Sequence, residues 1–188
     1  VDEEAEFYEL TMEYLDKHGF EHYEVSNYAK SGFRSRHNYF YWCHANYVSF
    51  GPSAHSFWRE NGVARRWFNS ANISHYCSYL NDGKPPLLTE EVLTNEQLVT
   101  ERIFLGLRSD GLDMKRLRDE FPSAMPTLVV NGGCLHPEKG RDTDDLGAHH
   151  SMIHDLVANG SATFENDILR LTSKGFLLCD EICARLMP

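Results

Sequence analysis

The chain has 188 residues, and its 18 lysines and arginines stand against 28 aspartates and glutamates, for a net charge of −10. With 41% hydrophobic and 24% charged residues, the composition is that of a globular protein with one large or two small domains. No apolar run approaches the length of about 18 to 20 residues that a membrane span needs, and no signal-peptide pattern is present.

The first elements predict half of an α/β repeat. Residues 3–18 favour a helix with one apolar face, formed by Phe7, Leu10, Tyr14 and Leu15, and Gly19 would end it. Tyr23 and Val25 alternate with polar residues and predict a strand. One such unit cannot close a barrel or a doubly wound sheet. Because the chain also starts at Val1, without an initiator methionine, we expect it to be a piece of a longer protein.

Residues 28–68, here called the aromatic–basic segment, differ from the rest of this acidic chain. They contain 12 of its 23 aromatic residues, and six cations (Lys30, Arg34, Arg36, Arg59, Arg65 and Arg66) against one acid, Glu60. Aromatic rings stack on flat ligands, arginines bind carboxylates through forked hydrogen bonds, and imidazole binds iron. The segment therefore predicts a site for a flat, apolar, anionic ligand, centred on residues 36–42. The alternative is that the rings form core and the arginines cover it.

The rest of the first half predicts a strand, a loop and a hairpin. Residues 47–50 favour a short strand that runs into a loop of small residues, 51–56, where a ligand could approach the backbone. Asn61-Gly62 predicts a type I′ hairpin, and a short helix should follow and end at Gly83. The Lys-Pro-Pro run at 84–86 is the predicted boundary between domains 1–83 and 84–188.

The predicted second domain has the element order of a winged helix. A capping box from Thr94 to Gln97 and a cap at Asp113 should start the first two helices, and residues 146–157 carry the apolar stripe of a third. A hairpin around Asn166-Asp167 and a last helix capped by Thr172 complete the order. Residues 124–145, with proline, glycine and mixed charge, predict an irregular insertion.

Charge and histidine placement argue against other kinds of site in this domain. Residues 90–188 contain 10 lysines and arginines against 17 acids, whereas nucleic-acid binding needs several cations on one face. His149, His150 and His154 have no acidic or cysteine ligand in a suitable position, so a surface or core role is favoured over a metal site.

The cysteines predict neither disulfides nor an iron–sulfur site within this chain. The five are scattered, which argues against a disulfide framework and favours a reducing cytoplasm. Cys179 and Cys183, four residues apart on a predicted helix, should be small buried apolar residues. Without a CxxC or CxxxCxxC motif, the chain should hold no cluster or zinc by itself.

Several segments in order resemble the C-terminal part of the oxygen-independent coproporphyrinogen III oxidase-like radical SAM proteins, and more narrowly their heme-chaperone branch. They are residues 23–29 (Tyr-Glu-Val-Ser-Asn-Tyr-Ala), residues 36–42, which fit the HNxxYW pattern of that branch, residues 50–56 (Phe-Gly-Pro-Ser-Ala-His-Ser), Glu101 with Leu-Gly-Leu-Arg at 105–108, and Leu-Thr-x-x-Gly at 171–175. They span nearly the whole chain. The resemblance implies an α/β fold: the C-terminal remnant of a radical SAM (partial TIM-type) barrel, followed by a winged-helix-like α+β domain.

The resemblance also implies cofactors and contacts. In the full-length parent, a CxxxCxxC loop holding a [4Fe–4S] cluster and S-adenosylmethionine would lie upstream, outside this sequence. Ala29 and His55 match positions that contact S-adenosylmethionine in the oxidase branch. His37 matches the suspected heme contact of the chaperone branch, which makes it the candidate iron ligand. The implied heme site is Arg36, His37, Asn38, Tyr41 and Trp42.

The resemblance leaves more than one function open. As a heme chaperone, the protein would bind heme and deliver it to an acceptor protein. As an oxidase, the parent would decarboxylate coproporphyrinogen III with a 5′-deoxyadenosyl radical, and this chain alone should be inactive. A winged-helix interaction module is the third alternative. We further expect a cytoplasmic protein with no nucleic-acid partner and no transmembrane segment. It should self-associate through the exposed barrel remnant, as a homodimer or by aggregation.

Overall fold

The computed structural model of the chain describes residues 2–122 and 146–187, and the side chains of residues 3–122 and 151–187. The insertion expected at 124–145 lies outside the described residues. The helices are α1 Asp2–Lys17, α2 Arg36–Trp42, α3 Ile73–Asn81, α4 Asn95–Arg108, α5 Met114–Glu120, α6 Leu146–Ala158, α7 Ser173–Phe176 and α8 Cys179–Leu186. The strands are β1 Glu21–Glu24, β2 Asn27–Ala29, β3 His55–Glu60, β4 Val63–Asn69, β5 Leu87–Leu93, β6 Leu112–Asp113, β7 Ala162–Glu165 and β8 Ile168–Leu171.

The described strands form three small antiparallel sheets, β1-β2, β3-β4-β5 and β6-β8-β7. The structure is therefore of mixed α/β content. Both predicted hairpin turns are confirmed by positive φ angles, at Asn61 (51°) and Gly62 (79°) and at Asn166 (53°) and Asp167 (63°). A type I′ turn requires this left-handed backbone at both central positions, which explains the residues found there.

The start of the chain forms the predicted helix and strand, with an antiparallel partner for the strand that was not predicted. α1 forms as predicted, but β1 pairs antiparallel with β2, in the register Glu21 to Ala29. The strand predicted at 47–50 reduces to a single bridge between Tyr47 and Phe57, because the backbone nitrogen of Ser49 donates to the Ser56 side chain instead of to a strand carbonyl. The barrel remnant itself stays a prediction.

Helix α4 is the centre of the core. Thr94 and Gln97 close the predicted capping box at its start. Four of its apolar side chains are at most 1% exposed: Leu98, Val99, Ile103 and Leu107. They pack in one cluster with Leu112 of β6, with Leu117 of α5, with α8, and with Phe57 and Ala64 of the β3–β4 hairpin. α4 therefore holds the aromatic–basic segment against the C-terminal elements.

The sheet of β3, β4 and β5 includes residues on both sides of the Lys-Pro-Pro run at 84–86. β5 begins directly after that run and pairs with β4, in the register Ala64 to Leu93. Ala64 and Leu93 are both buried in the main core. The division into 1–83 and 84–188 stays a prediction, and the pairing of β4 with β5 joins the two predicted units.

The predicted last helix is two helices rather than one. Thr172 caps α7, as expected, by accepting a hydrogen bond from the backbone nitrogen of Gly175. A Cβ atom at Gly175 would lie 2.0 Å from the carbonyl oxygen of Ser161, so α7 packs directly on the backbone before β7. α7 ends at Phe176, and α8 begins at Cys179. Cys179 and Cys183 are buried, as predicted, with 3.9 Å between their sulfurs.

Candidate functional site

Helix α2 carries the HNxxYW residues and has two distinct faces. It begins where the Ser35 side chain accepts a hydrogen bond from the backbone nitrogen of Asn38, at 3.2 Å. With about 100° of rotation per residue, Arg36, Phe40, His37 and Tyr41 follow one another around an arc of about 140°. Asn38, Trp42 and Tyr39 occupy the rest of the circumference. From the sequence we expected the motif residues to form one site, but on the helix they lie on two different sides.

The first arc, here called the exposed face, is open to solvent over most of its width. Arg36 and His37 are exposed, Phe40 is 54% exposed, and Tyr41 is half-buried. The edge of the His37 ring meets Tyr41 with 4.8 Å between ring centroids. Within the described part of the chain, neither ring nitrogen of His37 has a hydrogen-bond partner. The exposure excludes a buried core role for His37 and leaves its imidazole available to a ligand.

On the other side of α2, Asn38 and Trp42 are half-buried and pack against the protein, whereas Tyr39 is 48% exposed. The Asn38 side chain donates to the Asn27 side chain at 3.1 Å, and the Trp42 ring lies 5.8 Å from the Tyr23 ring. These contacts join α2 to the β1–β2 hairpin. Asn38 and Trp42, both predicted heme contacts, therefore have structural partners in the protein.

Most of the cations in the aromatic–basic segment are already paired with carboxylates. Arg34 binds Glu21 and Asp110, Arg59 binds Glu120, Arg65 binds Glu90, and Arg66 binds Glu91 and Glu101. Acids that lie far away in the sequence thus neutralise the cations counted in the segment. Arg36 is exposed and has no ion pair within the described ranges 2–122 and 146–187. It is the arginine best placed to bind the carboxylate of a ligand at α2.

Three cavities surround α2, and they differ in size and chemistry. One of about 370 Å³ lies against Trp42 and is lined by charged residues that include Arg102, Arg116 and Glu120. One of about 230 Å³ lies beside Arg36 and Phe40. A third, of about 390 Å³, lies beside Tyr41. Rings and apolar side chains make up most of its wall: Tyr41, Tyr47, Phe57, Phe104, Leu105 and Met187. We call it the Tyr41 cavity.

The polar edge of the Tyr41 cavity is a hydrogen-bonded network that the sequence did not predict. His44 Nε2 lies 3.0 Å from one oxygen of Glu101, and Arg66 donates to the other at 2.7 Å. Burial alone would raise the pKa of Glu101, but the His44 hydrogen bond and the Arg66 guanidinium lower it below its ordinary value. His44 has a left-handed backbone (φ 52°) just after α2, which turns its ring onto Phe57.

The two residues predicted to contact S-adenosylmethionine lie in different sheets. Ala29 is buried at the end of β2, whereas His55 is exposed at the start of β3 and stacks on Phe68. His55 was expected in the loop, but it already pairs with Phe68 as a strand residue. Their joint role stays a prediction.

The described part of the chain offers no donor set for a metal cluster. No three His, Cys, Asp or Glu side chains converge there. Cys43 is half-buried and Cys77 is exposed, and the hydrogen bond with Cys183, together with burial, raises the pKa of the Cys179 thiol. An iron–sulfur cluster needs several converging thiolates, so these residues do not fit one. His154 is exposed beside Asp155, and the side chains of His149 and His150 lie outside the described residues.

Known proteins similar to this chain include heme chaperones and a radical S-adenosyl methionine domain-containing protein. No family model matches it. It is 33% identical over 183 residues to the heme chaperone HemW of Bacillus subtilis, covering 96% of this chain and 42% of that protein. It is 44% identical over 201 residues to the mouse mitochondrial radical S-adenosyl methionine domain-containing protein 1, covering 98% of this chain and 39% of that protein. The chain thus spans about two fifths of the length of these relatives.

One solved structure resembles the fold. It is the Escherichia coli coproporphyrinogen III oxidase HemN, described as a radical SAM enzyme, with a TM-score of 0.61. The match covers 95% of this chain and 39% of that one, at 14% sequence identity. At that identity the similarity extends to the fold and no further. Among the described residues, no helix has the length and apolarity required to cross a bilayer.

Proposed function

Because the chain belongs to the oxygen-independent coproporphyrinogen III oxidase-like radical SAM family and matches its C-terminal portion, we propose that it binds heme and passes it to an acceptor protein. The relatives named as heme chaperones favour this role over the oxidase. The proposed location is the cytoplasm.

The observation that carries the proposal is the exposed imidazole of His37. A neutral imidazole with a free nitrogen is a common axial ligand of heme iron. Phe40 and Tyr41 lie on either side of His37 on the exposed face, and their rings can contact a flat macrocycle. Arg36 ends the same face and can form charge-assisted hydrogen bonds with a propionate.

The other cofactors implied by the family would act in the longer, full-length proteins. The family implies S-adenosylmethionine and a [4Fe–4S] cluster, which together supply radical chemistry. The described cysteines of this chain do not fit such a cluster. In the proposed role, residues of this chain bind and orient heme for transfer to the acceptor protein, without radical chemistry.

Hemin titration tests the proposal. The wild-type chain should bind hemin with a Soret band characteristic of nitrogen ligation. His37→Ala should weaken binding by about tenfold or more and shift the Soret band, because the iron loses its nitrogen ligand. Arg36→Ala should weaken binding by less and leave the band in place, because a propionate contact lies at the edge of the macrocycle.

His75→Ala is the matched control, since His75 is another exposed histidine on a short helix, α3. It should bind hemin as the wild type does. Thermal melts of all variants check that folding is retained. Equal affinity and equal spectra for the wild type and His37→Ala would contradict the proposed ligand.

A further inference from the structure

The Tyr41 cavity adjoins the exposed face of α2. The ring of Tyr41 touches the edge of His37 and also forms part of the cavity wall. On the cavity side, Tyr41 meets Tyr47 edge-on with 4.5 Å between ring centroids. A flat ligand bound at His37 can therefore extend over Tyr41 into the cavity.

The other two cavities suit a macrocycle less well. The cavity against Trp42 lies on the packed side of α2, away from His37, and a flat apolar ring there would remove several ion pairs from water. The cavity beside Arg36, about 230 Å³, is below the range of about 300 to 1,000 Å³ usual for ligand pockets. The Tyr41 cavity, about 390 Å³, falls within that range.

The charges at the Tyr41 cavity disfavour an anionic group inside it. Arg66 is the cation in its lining, and it already binds both Glu91 and Glu101 at 2.7 Å. Two carboxylates therefore share one guanidinium. A ligand carboxylate placed here would meet like charge and lose its hydration without gaining an unpaired cation.

We propose that the Tyr41 cavity takes the carboxylate-free edge of a porphyrin, which restricts the site to porphyrins whose carboxylates lie on one edge. This deepens the proposed function and rests on it. Heme has its propionates on one edge, and Arg36 lies about 140° around α2 from Tyr41, on the side where that edge would emerge. A coproporphyrin has a carboxylate on every pyrrole ring, so any edge that entered the cavity would bring in a charge.

Two iron porphyrins and a cavity-filling variant test the proposal. The wild-type chain should bind hemin about tenfold more tightly than iron(III) coproporphyrin III. Leu105→Trp, which adds bulk inside the cavity, should weaken hemin binding by about tenfold and leave the Soret position unchanged, because His37 is intact. Glu101→Gln removes one of the two carboxylates that bind Arg66. It should reduce the preference for hemin over iron(III) coproporphyrin III.

Leu88→Trp makes the same substitution on β5, where the side chain is 59% exposed, and should leave binding unchanged. If Leu105→Trp does not fold, Thr100→Trp fills the cavity from the same helix. Hemin affinity in both cavity variants equal to that of Leu88→Trp would overturn the proposal, as would equal affinity for the two porphyrins. If the proposed function itself is wrong, the results differ from these: hemin would not bind to the wild-type chain, or His37→Ala would behave as the wild type.

Discussion

At the residue scale, His22 couples folding stability to pH. Its ring stacks on Tyr28 at 4.3 Å and meets Phe176 edge-on at 4.8 Å, so it links the β1–β2 hairpin to α7. Burial lowers the pKa of His22 below its ordinary value of 6.5, against the opposing effect of its hydrogen bond to the Val25 carbonyl. The ring nitrogen Nδ1 is buried without a partner among the described residues.

A histidine with a lowered pKa in the folded state binds its proton more readily in the unfolded chain. Its contribution to stability is therefore full above its ordinary pKa and is lost as the pH falls. We expect the free energy of unfolding to decrease as the pH falls below the ordinary histidine pKa of 6.5. His22→Phe keeps the stacking without titrating and should flatten this dependence, measured by denaturant unfolding. His75→Ala should keep it, and an equal slope in His22→Phe and the wild type would refute the assignment.

Gly175 explains the Leu-Thr-x-x-Gly motif in physical terms. The close approach of Gly175 to the Ser161 carbonyl leaves no room for a side chain. Gly175→Ala should therefore destabilise the protein by about 1 to 3 kcal/mol, the range for overpacking, with a lower Tm. Ser173→Ala adds no atoms in the same helix and should have little effect. A Tm for Gly175→Ala equal to that of the wild type would show that α7 can move away from Ser161 at no cost.

At the element scale, α1 exposes part of the apolar face predicted from its sequence. Phe7, Leu10 and Tyr14 are each at least 60% exposed. Apolar surface of this kind favours association, so we expect the chain to self-associate as concentration rises. Replacing Phe7 and Leu10 together with serine should shift the distribution toward monomer in light scattering. Ile73→Ser, at an equally exposed site on α3, should not, and a wild-type chain that is monomeric over a wide concentration range would contradict the expectation.

Elements defined by local chemistry could be predicted from the sequence, and those defined by distant partners could not. The cap at Thr94 and the turns at Asn61-Gly62 and Asn166-Asp167 depend on residues within a few positions of each other. The antiparallel partner of β1 and the pairing of β5 with β4 depend on contacts that periodicity does not encode. The break between α7 and α8 likewise accompanies the packing of Gly175 on a distant backbone.

At the scale of the whole molecule, the fold decides which part of the aromatic–basic segment can bind a ligand. Composition indicated a cationic surface, but glutamates from β5, α4 and α5 neutralise Arg59, Arg65 and Arg66. The sequence motif singles out His37 as the candidate ligand, and that role stays a prediction. Which face of α2 is open depends on how β1–β2 and α4 pack around it, and this could not be predicted from the motif.

Chemical rescue with imidazole tests whether His37 is the ligand of the heme iron. His37→Gly removes the imidazole and leaves space at the exposed face of α2. We predict that the hemin complex of this variant loses the wild-type Soret position, and that free imidazole restores it by occupying the vacated coordination site. His75→Gly should show neither effect. A wild-type Soret band in His37→Gly without imidazole would exclude His37 as the ligand, since the iron would then be held by another residue.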